Sequence, residues 1–443
     1  MNCIESDRTL VDNTSSFDSY GESQNSSANA WNVNFNNANV NNNSRTNTNR
    51  VRAVAELPCS SLDDPEVPFD TLIEAYYHCR QNKRGKPNAV LYEMDWSHDL
   101  YKLWREVVER RYEISRSICF VVTQPKPREV FAADFRDRII HHWIAIRLEP
   151  LLDKYLPGNM CSNRKGYGTA AAVRQAYNII NDGQDGVIYK FDIQGFFMAI
   201  DKRILCDRLL TFIAEHYNGC DLDTLLYLTE KVVMHCPQDY CTFHSPRKMW
   251  SLLPANKSLF SQDKFHGLAI GNLTSQMFAN FYLSGIIRGL NHRGIRCVQY
   301  VDDIFSKVKD DAQQRTTEAY VREELAKVGL TLHPKKKYIQ PVSHGVSFIG
   351  CVICRGRIYP GGRCLDRVGG MLHRGATPES LNSYFGLLRM LPEMRSYRIR
   401  RKMAMSALAQ RDDIYIVGNR KAVLKKEVRP MNIMINRIKT CQY

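Results

Sequence analysis

The chain is expected to adopt an α+β fold, and three stretches of its sequence predict it. GVIYKFDI (residues 186–193) is a short, mostly apolar run that reads as a strand entering a core. Residues 274–290 carry Phe278, Phe281, Tyr282 and Ile286 at helical spacing. RCVQYVDDIFSKV (residues 296–308) reads as two short strands joined by a tight turn at its two aspartates. Strand, helix and hairpin in that order give a sheet packed against helices. At 443 residues the chain exceeds a single compact core, so a handful of subdomains is expected.

Taken in order, the first 56 residues stand apart. In WNVNFNNANVNNNSRTNTNR (residues 31–50) half of the positions are Asn. So little apolar area cannot offset the entropy of ordering the backbone, and residues 1–56 are expected to be disordered. From about Val67 the pattern becomes globular, and FRDRIIHHWIAIRLEPLL places Phe135, Ile139, Ile140, Trp143 and Ile146 at helical spacing. Residues 365–443 hold 16 Lys+Arg against 6 Asp+Glu, most of the chain's net charge of +15. With RMLPEMRSYRIRRKMAMSAL reading as an amphipathic helix, this region is expected to be a basic helical unit that grips a phosphate backbone.

The basic balance, 61 Lys+Arg to 46 Asp+Glu, points to a polyanionic partner. No stretch approaches the roughly 20 apolar residues of a spanning helix, and the N-terminus lacks a signal-peptide core, so a cytoplasmic location away from membranes is expected. In that compartment the 14 cysteines are expected to be reduced thiols. Cys351, Cys354 and Cys364 come nearest to a zinc pattern but lack a fourth ligand at suitable spacing.

The chemistry concentrates in carboxylates. Asp192 ends an apolar strand, and Asp302 and Asp303 sit at a hairpin turn. Strands packed side by side would bring the three together, as a pair of divalent cations requires. Paired aspartates also occur at turns for local reasons, because Asp favours turns.

Six segments stand in order: QPKPREVFAADFRDRI, FDIQGFFMAID, GLAIGNLTSQ, YVDD, GLTLHPKKK and VSFIGCVI. Their order and spacing resemble the motifs of reverse transcriptases, over about residues 70–410. The resemblance implies a right-hand polymerase: fingers over residues 57–185, a palm of antiparallel sheet with helices on one face over 186–364, and a basic helical thumb over 365–443. Residues 201–265 would be an insertion between the first two palm motifs. It implies metal binding at Asp192, Ile193, Asp302 and Asp303, with two Mg²⁺ ions as cofactors and Mn²⁺ able to substitute. Phe197 falls where the family keeps an aromatic that selects deoxynucleotides. Lys126 and Arg128 resemble the finger residues that hold the triphosphate, a role Arg136 or Arg138 could share. Lys336 falls where a lysine protonates the departing pyrophosphate, with Lys335 and Lys337 leaving the register open. Arg398, Arg400, Arg401 and Lys402 would contact phosphates. The implied partners are an RNA template, a DNA or RNA primer and dNTPs.

The third segment departs from the common form LPQGxxxSP. Ile270 stands before Gly271 and Gln276 follows Ser275, which places all three in the substrate-binding set and resembles the reverse transcriptases of diversity-generating retroelements. Those enzymes copy a template repeat with errors at adenines, and the resemblance implies a small basic accessory protein. WNVNFNNANVNNNSRTNTNRVRAVAE then resembles the translated end of a template repeat, because target proteins of the family, of lectin-like fold, finish in similar segments, and its Asn codons, AAY, would be targets for an adenine-directed mutator. The alternatives are a group II intron-type or retron-type reverse transcriptase, or an inactive polymerase fold serving as a nucleic-acid scaffold. The presence of all three aspartates argues against the last.

Overall fold

The computed structural model describes residues 22–23, 26–34, 39–44, 67–81, 87–123, 126–389 and 394–425. Within the leader, β1 (Glu22–Ser23), β2 (Ser26–Asn34) and β3 (Asn39–Ser44) form an antiparallel sheet in which Trp31 pairs with Asn42 and Val33 with Val40. The rest of the 1–56 leader, and residues 426–443 of the basic C-terminal region, lie outside the described residues.

The globular part begins with α1 (Phe69–Arg80), α2 (Pro87–Glu93) and α3 (Trp96–Val108), followed by β4 (Ser117–Val122), β5 (Arg128–Ala132) and α4 (Phe135–Tyr155). Asp134 caps α4 by accepting from the Arg136 amide, and Phe135, Ile139, Ile140, Trp143 and Leu148 turn inward along the helix. Next come α5 (Thr169–Ile180), β6 (Val187–Ile193), α6 (Phe196–Ala199), α7 (Lys202–His216), α8 (Leu222–Met234) and β7 (Cys241–Phe243). α9 (Leu273–His292), β8 (Arg296–Tyr300), β9 (Asp303–Val308), α10 (Asp311–Lys327) and β10 (Leu332–Pro341) complete the central part. Strands β11 (Val346–Phe348), β12 (Cys351–Cys354) and β13 (Arg357–Pro360) form a small antiparallel sheet before α11 (Gly362–His373), α12 (Pro378–Arg389) and α13 (Met394–Gln410). Mixed helices and mainly antiparallel sheets make this an α+β protein, as the strand–helix–hairpin order predicts.

The central sheet runs β10-β6-β9-β8, with every neighbouring pair antiparallel. Its two faces are dressed differently because strand side chains alternate. Tyr189, Phe191, Ile193 and Ile304 enter the larger core with α4 and α9, while Ile188, Val298 and Phe305 join a second core with α5 and the C-terminal helices. Lys190 and Asp192, two and four residues beyond Ile188, continue along that second face.

Within residues 201–265, α7 and α8 pack in the larger core with Tyr189 and Phe191, while β7 adds to β4 in parallel and completes a sheet ordered β5-β4-β7. Helix α5, expected with the N-terminal part, packs on β8 and β9. In both cases the deciding contacts join residues more than a hundred positions apart, which local periodicity does not encode. The C-terminal region is not wholly helical either, since β14 (Ile414–Val417) and β15 (Lys421–Leu424) form a hairpin. Gly418, Asn419 and Arg420 make its turn, the first two at positive φ, and the Gly-Asn pair was the available signal. Among the described residues no helix is long and apolar enough to cross a membrane.

Candidate active site

Asp192 occupies the end of β6, where it pairs across the ladder with Asp303 at the start of β9, and the Ile193 amide donates to the Asp302 carbonyl at 3.3 Å. Tyr300 and Asp303 close the β8–β9 hairpin, leaving Val301 and Asp302 as a two-residue turn. Val301 has φ of 60°, a strained conformation for a β-branched residue. Gln299, fully buried, holds it by donating from Nε2 to the Val301 carbonyl at 2.5 Å. Gln299 rests in a buried polar network: Ser162 Oγ donates to Asn280 Oδ1 at 2.7 Å, and Asn280 Nδ2 donates to the Ser162 carbonyl at 2.6 Å. The three aspartates therefore meet at one end of the central sheet, on a turn fixed from below.

The electrostatics of this end call for cations. Asp192 Oδ1 and Asp303 Oδ1 are buried with no hydrogen-bond partner. Burial, and then the charge of Asp192, raises the Asp302 carboxyl above its ordinary pKa, and burial raises that of Asp303 against the opposing pull of Lys190. Lys336 is ion-paired to Asp192 Oδ2, and Lys190 Nζ lies 3.2 Å from Asp303 Oδ2. Among the described residues no three-ligand cage of His, Cys, Asp or Glu is preassembled; the lysines occupy one oxygen of each outer carboxylate. Crowded carboxylates with orphaned oxygens are nevertheless a donor set that suits hard divalent cations. The Ile193 side chain is buried in the core and has no donor atom, so only its main-chain carbonyl could join that set.

Of the three candidate lysines, Lys336 reaches the carboxylates. Lys337 pairs with Glu318 at 3.0 Å, and Lys335 is exposed. The β10 register shifts between Leu332 and Lys337, an irregularity that a strict alternation cannot anticipate.

Phe197 and Ile270 come together, both partly buried against a small cluster of Cys119, Phe131, Met198, Leu259 and Ala269. The Ile270 carbonyl accepts from the Phe131 amide at 2.9 Å, which attaches the 267–272 loop to the edge of β5. Gly271 permits the approach: with φ of 130°, a Cβ there would lie 2.5 Å from the Phe131 carbonyl oxygen. Gln276 lies partly buried in the first turn of α9. Lys126 and Arg128 are exposed at the start of β5. Arg136 is ion-paired to Glu106 and lies over the Tyr112 ring. Arg138 donates from Nε to the Ala133 carbonyl at 2.8 Å.

On α13, Arg398, Arg401 and Lys402 are exposed while Met403, Ala404 and Ala407 pack inward. Arg400 is half-buried with Nε unpartnered, and burial together with Arg420 and Arg389 lowers its pKa. Mutually repelling guanidinium groups of this kind suit an anion.

Sequence reasoning missed Lys190, the Ser162–Asn280–Gln299 network and the buried Glu129 on β5. Lys190 was within reach, since it precedes Asp192 by two residues on one strand and must share its face. No curated protein matches the chain. The family model described as "Reverse transcriptase (RNA-dependent DNA polymerase)" matches residues 124–353, which hold all three aspartates, Lys336, Phe197 and Ile270. The matched span is more than half of the 443 residues, and the chain belongs to the reverse transcriptases, the RNA-directed DNA polymerases.

Proposed function

We propose that this reverse transcriptase serves a diversity-generating retroelement, copying an RNA template repeat into DNA with errors concentrated at adenines. The observation that carries this reading is Ile270: a side chain with no hydrogen-bonding group packs against the same cluster as Phe197, at a position where most reverse transcriptases place Gln. A right-hand arrangement is proposed with it, in which the β5-β4-β7 sheet belongs to the fingers, the central sheet to the palm and the C-terminal helices to the thumb.

The family's substrates are a nucleic-acid template with primer and dNTPs, and its members use divalent metal ions, typically Mg²⁺. Asp192, Asp302, Asp303 and the Ile193 carbonyl would hold two such ions, which when bound activate the primer 3′-hydroxyl and neutralise the triphosphate. Lys126 and Arg128 draw in the triphosphate from the finger strand. Phe197 closes the space that a ribose 2′-hydroxyl would need. Lys336, already beside Asp192, carries the proton suited to the departing pyrophosphate. The basic face of α13 grips the phosphate backbone, and a small basic accessory protein of the retroelement is the proposed partner.

Changing Ile270→Gln and sequencing the cDNA made on a defined RNA template tests the reading. A single restored hydrogen bond to the substrate should reduce misincorporation opposite adenine by about 5- to 150-fold, with other template bases less affected. An adenine error rate that stays the same in an active Ile270→Gln enzyme would return Ile270 to a packing role.

The thumb assignment has its own test. Replacing Arg398 and Arg401 together should lower the salt slope of RNA binding by roughly one to two units, because each phosphate contact releases about one counterion. An unaltered slope would make the exposed face of α13 merely solvated.

A further inference from the structure

We propose that Glu129 is a positioning residue for nucleotide selection, acting through the segment over residues 247–261. The inference rests on the reading that Phe197 and Ile270 face the incoming nucleotide. Glu129 sits in β5, is 1% exposed, and has no ion pair among the described residues. Three neutral donors hold its carboxylate instead, all from one stretch of the segment between β7 and α9. Trp250 Nε1 donates to Oε2 at 2.6 Å, Ser258 Oγ donates to Oε2 at 2.7 Å, and the Leu259 amide donates to Oε1 at 2.7 Å. A buried carboxylate is costly unless its lone pairs are filled, and here both oxygens are engaged by the same short segment. Charge-assisted bonds of this kind are short and directional, so the segment is fastened to β5 in a single placement.

What the segment touches gives the fastening its consequence. Leu259 packs in the cluster of Phe131, Met198 and Ala269, and Phe197, Ile270 and Trp250 lie against that same cluster. Asn256 closes on the turn that carries Phe197: a Cβ on Gly195, which has φ of 57°, would lie 3.0 Å from the Asn256 carbonyl oxygen. The Leu268 amide donates to the Phe197 carbonyl at 2.8 Å, so Phe197 is tied at its main chain to the loop that bears Ile270. Arg128, next to Glu129, points to the opposite side of the strand, since successive strand residues alternate. Glu129 therefore links the strand that carries Arg128 to the platform under Phe197 and Ile270. If the platform shifts, the sugar-sensing ring moves although no group that touches substrate has been changed.

In the experiment, Glu129→Gln, Trp250→Phe and Ser258→Ala are compared with wild type and with Phe197→Ala. The readouts are kcat and KM for a dNTP and its matching rNTP, together with the melting temperature. In Glu129→Gln the amide nitrogen must face one of the three donors, so at least one bond is lost. The expected result is a loss of dNTP-over-rNTP preference of about 5- to 20-fold, borne mainly by KM, with smaller shifts of the same direction in Trp250→Phe and Ser258→Ala. Because those two remove one donor each, they keep the test decisive if Glu129→Gln does not fold. A lower melting temperature with unaltered sugar preference in the folded variants would overturn the proposal and leave Glu129 a structural residue, while Phe197→Ala still changed the preference. Unaltered preference in Phe197→Ala itself would overturn the reading of the nucleotide site, and the role of Glu129 with it.

Discussion

Replacing Asp302 or Asp303 with Asn is expected to abolish DNA synthesis while leaving RNA binding nearly intact. Either change removes a carboxylate from the set that meets at the end of the central sheet, and metal-assisted charge stabilisation is worth several kcal/mol, or roughly three orders of magnitude or more in rate. Affinity for RNA comes from phosphate contacts elsewhere and should change little. A second consequence concerns stability without metal. The Asp302 carboxyl has its pKa raised by burial and by Asp192, so the folded protein binds that proton more tightly than the unfolded chain does. Its contribution to stability is thus fully present at low pH and is lost as pH rises through the folded pKa. At neutral pH the ionised group opposes folding, and Asp302→Asn should raise the metal-free melting temperature while removing activity. A mutant that both loses stability and retains substantial polymerisation would contradict the assignment.

Phe197→Ala should admit ribonucleotides. The ring is partly buried against the cluster shared with Ile270, and its carbonyl is pinned by the Leu268 amide, so truncation opens a cavity in a wall that otherwise stays in place. Discrimination by steric exclusion of small groups is worth about 10- to 200-fold, and the ratio of rNTP to dNTP incorporation should rise by that order. Single-nucleotide extension with matched dNTP and rNTP measures it. If Phe197 were only a core residue, the variant would melt earlier with its sugar preference intact.

The elements that locate the aspartates were legible because each obeys one local period. β6 is an apolar run, the β8–β9 hairpin brackets its turn, and α9 follows a helical repeat. The family motifs then supplied the roles that periodicity cannot. What escaped depends on distance along the chain or on register. Ser117 pairs with Cys241 in the β5-β4-β7 sheet, and nothing in CTF alone selects β4 as its neighbour. Glu129 reads as one polar residue in REVFA, and only the folded chain brings Trp250, Ser258 and Leu259 to it. The choice of Lys336 over Lys335 and Lys337 rests on an irregularity in β10. The pairing of Arg136 with Glu106, which lies 30 residues earlier, is likewise invisible to local periodicity.

The most direct test of the account is sequencing of cDNA synthesised by the purified chain on a defined RNA template with primer, four dNTPs and Mg²⁺. The expected result is DNA products that depend on Asp192, Asp302 and Asp303, with substitutions concentrated opposite template adenines. Products with errors spread evenly over the four template bases would contradict it.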